Sequence, residues 1–140
     1  VLVKRRGYRM RLQKSVTQII AGALDLFMKG PKGEKLRKAR WITTEAHDDD
    51  GFCALGALSA AADGVHRSRD SNFQGSLRDA ANLVASCVPD YKGVKTWKDI
   101  PDWNDNLSDT RGFASIKRTF CKALKKSIAQ DKRNKKGKKR

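Results

Sequence analysis

Asp48-Asp49-Asp50-Gly51-Phe52-Cys53-Ala54-Leu55-Gly56-Ala57-Leu58 is the stretch around which the chain must fold. Asp50-Gly51 is a strong tight-turn signal, and it leads straight into a run of small apolar residues. Read as a helix from Cys53 to Ala62, closing at Asp63-Gly64, that run carries Ala or Gly on every side. Such a helix is stable only where other backbones close around it. We therefore expect a mainly α fold, a compact four-helix domain built around this small-residue central helix. Trp41-Ile42-Thr43-Thr44 is β-prone, so a short β-hairpin over Thr43 to Phe52 should precede it.

Three further helices supply the surroundings. Ser15-Val16-Thr17-Gln18 matches a capping box, and Ile19, Ile20, Ala23, Leu24, Phe27 and Met28 follow at helical spacing until Gly30-Pro31 stops them. Residues 31–40 form a basic connector, and His66 to Gly75 a polar loop. Ser76-Leu77-Arg78-Asp79 reads as a second capping box, with Asp where Glu or Gln is usual. Its helix buries Leu77, Ala80, Ala81, Val84, Cys87 and Val88 and ends at Pro89. Tyr91 to Asp102 reads as a loop or short turn, with Trp97 and Trp103 nearby. Thr110 can cap the last helix, whose apolar face is Phe113, Ile116, Phe120, Ala123, Leu124 and Ile128. The first, third and last helices are expected to press on the central one.

A length of 140 residues suits one domain with its own core. The formal net charge is +16, from 31 Lys and Arg against 15 Asp and Glu. Its distribution divides the chain into three parts. An N-terminal arm, 1–14, holds six basic residues and no acidic one; the globular part, 15–130, holds 18 basic and 14 acidic; a C-terminal tail, 131–140, holds seven basic and one acidic. Strongly basic ends draw polyanions by counterion release. A Lys-rich end can also serve solubility alone.

Cys53, Cys87 and Cys121 are odd in number and 34 residues apart, which suits neither a disulfide framework nor a zinc knuckle. Each falls on an apolar helical stripe and reads as a small buried hydrophobe. A reducing compartment follows. No stretch reaches the length of a spanning helix, and Val1-Leu2-Val3-Lys4-Arg5-Arg6 has a signal peptide's charge order reversed. Cytoplasm is the expected location.

Candidate chemistry is sparse. His47, Asp48, Asp49, Asp50 and Cys53 could ligate a cation, but no calcium-loop pattern and no second ligand pair at zinc spacing accompany them. An acidic turn beside a helix N-terminus is favourable without any metal, so no metal and no cofactor are expected. Cys53 could be a nucleophile, because a thiol at a helix N-terminus can have a lowered pKa. His47 or His66 would then be the base, with Asn104 or Asp105 orienting it. Nothing in the spacing joins these residues. Trp103-Asn104-Asp105-Asn106 reads as structural, the Trp anchoring a turn whose Asn and Asp side chains bond backbone groups.

The strongest functional signal is basic. Lys4, Arg5, Arg6, Arg9 and Arg11 lie in the N-terminal arm. Lys117, Arg118, Lys122, Lys125 and Lys126 lie opposite the apolar face of the last helix. They continue into Lys132, Arg133, Lys135, Lys136, Lys138, Lys139 and Arg140. This row suits phosphate backbones. No Gly-rich phosphate loop, zinc finger or aromatic-interleaved motif for single strands accompanies it, so binding should be weakly sequence-selective.

Gly51-Phe52-Cys53-Ala54-Leu55-Gly56-Ala57-Leu58, then Ile100 to Trp103-Asn104-Asp105, then Thr110 opening an amphipathic helix, together resemble an uncharacterised family. Its members are small proteins of actinobacteria and their bacteriophages, with a "CALGAL" helix and a "WND" turn. The resemblance covers about residues 15–130. It implies the fold and a phage or actinobacterial origin, and no activity. The basic arms at 1–14 and 131–140 depart from the family's usual pattern.

The expected function is thus that of a small basic, phage-encoded intracellular protein binding DNA or RNA non-specifically through its termini and last helix. The alternative is a protein-interaction module docking on a host or virion protein through the same charges. An enzyme using Cys53 or a metal comes third.

Overall fold

A computed structural model describes residues 14–29, 34–36, 39–42, 47–48, 51–64, 73–88, 96–107 and 112–138, with backbone only at 47–48 and 136–138. Helix α1 spans Val16–Met28. The Ser15 hydroxyl accepts from Gln18 N–H at 3.1 Å, and Gln18 Oε1 accepts from Ser15 N–H at 2.9 Å. This is the expected capping box, satisfying two backbone donors that no helical carbonyl reaches. Ile19, Ile20, Ala23 and Phe27 form its buried face. Gly30 and Pro31, expected to stop the helix, lie outside the described residues.

The hairpin is present in short form. Strand β1 (His47–Asp48) pairs antiparallel with β2 (Gly51–Phe52), His47 opposite Phe52 and Asp48 opposite Gly51. On the other side of Phe52 runs the Arg40–Ile42 segment. Phe52 N–H donates to Arg40 O at 2.8 Å, and Ile42 N–H donates to Phe52 O at 3.0 Å. Gly51 allows this approach, since a Cβ there would stand 2.2 Å from Arg40 O.

Helix α2 spans Ala54–Asp63 and is closed by Gly64 in the left-handed conformation, φ 79°. Every residue from Ala54 to Ser59, and Ala61, is buried. Its small side chains bring it close to α1: a Cβ on Gly22 would lie 3.2 Å from that of Ala61.

Helix α3 spans Gly75–Ser86 and buries Leu77, Ala80, Ala81, Val84 and Ala85, with Cys87 buried just beyond. Its N-cap is Gln74, without a side-chain cap bond. The expected Ser76 cap is therefore corrected. A capping residue needs extended backbone, which Gln74 has, whereas Ser76 already sits in the first turn. Phe73, just before the helix, stacks on Trp97 with ring centroids 4.3 Å apart.

Of the loop or short turn expected over Tyr91 to Asp102, residues 91–95 lie outside the described residues, and the expectation is corrected from Ile100 onward. Trp97–Asp99 form a 3-10 turn that continues into helix α4, Ile100–Asn106. The turn has its own capping box, with Asp99 Oδ2 accepting from Thr96 N–H at 3.1 Å. Two turns of helix show too little periodicity to read from sequence. Five helices are thus described where four were expected, and the "WND" residues lie in a helix, not a turn.

Helix α5 spans Gly112–Lys138; Thr110, its expected cap, lies outside the described residues. Ile116, Phe120 and Ala123 are buried, Phe113 and Leu124 pack partly against the core, and Ile128 is 40% exposed. A Cβ on Gly112 would stand 2.5 Å from the Trp41 ring, so this glycine lets the indole lie against the start of α5.

The centre of the packing is α1, which contacts α2, α3, α5 and β2. This corrects the expectation that all other helices close on α2. Helix α5 packs chiefly on α1 and α3, and α2 packs on α1, α3 and α4. Small residues give α2 close approach but little reach. Phe27 of α1 does reach, meeting Phe113 and Phe120 edge-on at 5.3 and 5.9 Å.

Candidate functional site

Helix α5 sorts its residues by the geometry of a 3.6-residue turn. Ile116, Phe120, Ala123 and Ser127 point at the core, and Lys117, Arg118, Lys122, Lys125 and Lys126 are all exposed. Lys132, Arg133 and Lys135 continue the exposed set. At 100° per residue, these eight cations fall within an arc of about 180°, opposite the core. From Lys117 to Lys135 the row is about 27 Å long.

Among the described residues, little neutralises this face. The helix from 112 to 138 contains one acidic residue, Asp131, and it is turned aside to α1. Asp131 Oδ2 accepts from Thr17 Oγ1 at 2.7 Å, and Thr17 Oγ1 also bonds Ser127 Oγ. Lys29, the C-cap of α1, pairs with Asp25 at 3.5 Å, away from α5. Arg133 donates to Gln130 Oε1 at 2.8 Å, a neutral partner that leaves its charge intact.

The tail does not begin as a separate coil. Helix α5 runs through residue 131 to Lys138 without a break. Ile128 to Lys135 are eight consecutive exposed residues, more than two turns, tied to another described element through the bond of Asp131 to Thr17 of α1. Backbone placement of Lys136 and Lys138 is helical. Lys139 and Arg140, like Lys4, Arg5, Arg6, Arg9 and Arg11, lie outside the described residues.

The "WND" residues form a polar junction. Asn104 is fully buried. Its Oδ1 accepts from Trp41 Nε1 at 2.7 Å and from Ala54 N–H at 2.9 Å. Its Nδ2 donates to Ile42 O at 3.0 Å and to Asp105 Oδ1 at 3.2 Å. One amide thus joins α4 to the Arg40–Ile42 segment and to the start of α2. All its donors and acceptors are used within the fold, which leaves none for a substrate.

Cys53 is the N-cap of α2. Its Sγ accepts from Gly56 N–H at 3.3 Å. Burial pushes the thiol pKa up, outweighing the N–H groups of Gly56 and Leu55 that lower it, and Asp105 raises it further. The expectation of a lowered pKa is overturned. A helix N-terminus activates a thiol only where the thiolate is also solvated or paired. Cys87 is buried too, and Cys121 is half-buried.

Among the described residues no group of three His, Cys, Asp or Glu could hold a metal. Asp49, Asp50 and His66, and the side chains of His47 and Asp48, lie outside them. No described helix is long and apolar enough to cross a membrane.

Two structural contacts had no signal in the sequence. Lys14, counted among the basic residues of the arm, donates to Ala61 O at 2.8 Å and so binds the C-terminal turn of α2. Thr17 holds α5 across more than a hundred residues of chain, and only a folded structure brings those partners together.

No curated protein and no solved structure matches this chain significantly. A family model does, over residues 33–123, from the connector before the hairpin to the middle of α5, a narrower span than the resemblance of about 15–130. With the hairpin, α2, α3 and α4 all inside that match, the chain belongs to DUF6197, a family of unknown function.

Proposed function

We propose that this protein binds nucleic acid through phosphate contacts made by the exposed half of α5, with the basic residues of 1–14 and 136–140 adding to the attraction. The observation that carries the reading is the row of eight exposed cations from Lys117 to Lys135, on a helix whose single carboxylate is engaged by Thr17. The charge lies mostly outside the family-matched part. Residues 33–123 hold 14 basic and 13 acidic residues, and the rest of the chain holds 17 basic and two acidic. The binding activity is accordingly a property of the flanks and of α5, carried on a nearly neutral family scaffold.

Point charges on flexible stems contact phosphates without reading bases, so selectivity for sequence is weak and affinity falls steeply with salt. The cytoplasm, of the host if the chain is phage-encoded, is where such a target is met. The test is fluorescence anisotropy of a labelled DNA fragment across a salt series, with Lys122→Glu/Lys125→Glu/Lys126→Glu beside the unaltered protein. These side chains are exposed, so the fold should survive their replacement. Loss of three phosphate contacts flattens the plot of log K against log salt by about 3 units. An unchanged slope would sink the proposal. Copurification after nuclease treatment separates the alternative: a docked host or virion protein survives the nuclease, and nucleic acid does not.

A further inference from the structure

Resting on that reading of α5, we infer its target: the projecting part of the helix, from Lys132 to Lys138, docks as a helix in the major groove of duplex DNA. The last ties of the helix to the globule run through Ser127 and Asp131 to Thr17, and Lys132 to Lys135 beyond them are all exposed on a helix that continues to Lys138. An α-helix with side chains is about 10–12 Å across, and the B-DNA major groove is about 12 Å wide. Lys132, Arg133 and Lys135 are spread over an arc of about 160° on the helix. Cations spread this widely reach both walls of a groove, whereas a single flat strand would meet only one of them. Nearer the globule, Lys117 to Lys126 have the core at their back, so they can follow one phosphate strand but cannot enter the groove.

The same surface suits other nucleic acids poorly. Between Ala114 and Lys135 no exposed position is aromatic, so bases of a single strand find no stacking platform. The major groove of A-form RNA is too deep and narrow for a helix.

Anisotropy titrations with the full chain would use a DNA duplex of about two helical turns, its separate strands and the matching RNA duplex. At moderate salt the DNA duplex should bind about tenfold or more tightly than either strand or the RNA duplex. Asn134→Pro breaks the projecting helix without changing its charge. It should cut duplex affinity about fivefold or more and leave single-strand affinity unchanged, circular dichroism confirming the remaining helices. Gln130→Gly/Asn134→Gly is a gentler second variant and should act in the same direction. Equal affinity for duplex and strands, or full duplex affinity in both helix-weakened variants, overturns the groove inference and leaves phosphate binding standing. Absence of binding to every probe overturns both.

Discussion

Replacing Asn104 by Ala should destabilise the fold more than any other single polar substitution among the described residues. The side chain is fully buried and makes four hydrogen bonds, to Trp41, Ala54, Ile42 and Asp105. Alanine leaves Ala54 N–H without a partner in the core, at about 1–3 kcal/mol. The Trp41 and Ile42 groups are half-buried and can recover part of their loss from water, so each adds about 0.5–1 kcal/mol. Alanine's better helix propensity returns about 0.5 kcal/mol. The sum is a loss of about 3 kcal/mol, a large fraction of the 5–15 kcal/mol typical of a domain. With an m-value of about 2 kcal/mol/M, the urea midpoint should fall by about 1.5 M. Trp41→Phe, which removes one of the four bonds, should cost about 1 kcal/mol, and the double variant should cost less than the two singles together, since they share that bond. A loss below about 1 kcal/mol for Asn104→Ala, or strict additivity with Trp41→Phe, would refute the view of Asn104 as the junction of α4, α2 and the hairpin segment.

Other substitutions test the local physics. Ser15→Ala removes the N-cap acceptor of α1 and should lower stability by about 1 kcal/mol in urea denaturation, with Gln18→Ala losing only the return half of the capping box. Gly51→Ala forces a Cβ against the Arg40 carbonyl and should cost at least about 2 kcal/mol, seen as a drop in melting temperature. Because the pKa of Cys53 is raised in the folded state, its contribution is fully present below the ordinary thiol range. It is lost as pH climbs above about 8.5. Stability measured from pH 7 to 10 should fall, and less so in Cys53→Ser. Alkylation in the native state, read by mass spectrometry, should modify half-buried Cys121 before Cys53 or Cys87.

What could be read from the chain was local. Ser15 and Gln18 are three residues apart, so their capping box was visible in the letters and is present in the structure. The helical stripes of α1, α3 and α5 were visible because each repeats over at least three turns. Helix α4 was hidden by its seven residues, and the partners Trp41, Ile42 and Ala54 of Asn104 by separations of 50 residues or more. The small residues around Cys53 correctly signalled close packing. They did not reveal which helix would be central, because reach depends on large side chains such as Phe27 on the neighbouring helix. The basic face of α5 followed from composition and period alone. Its projection beyond Asp131, and the turning aside of that carboxylate to Thr17, needed coordinates.

The most direct measurement compares the full chain with a version ending at Asp131, which removes seven cations and keeps the carboxylate bonded to Thr17. DNA affinity is measured against salt for both. The plot of log K against log salt should be flatter in the shortened protein by about 3–6 units, according to how many of the seven cations reach a phosphate. Equal slopes and equal affinities would contradict the assignment of the basic extension of α5, from Lys132 onward, to the binding surface.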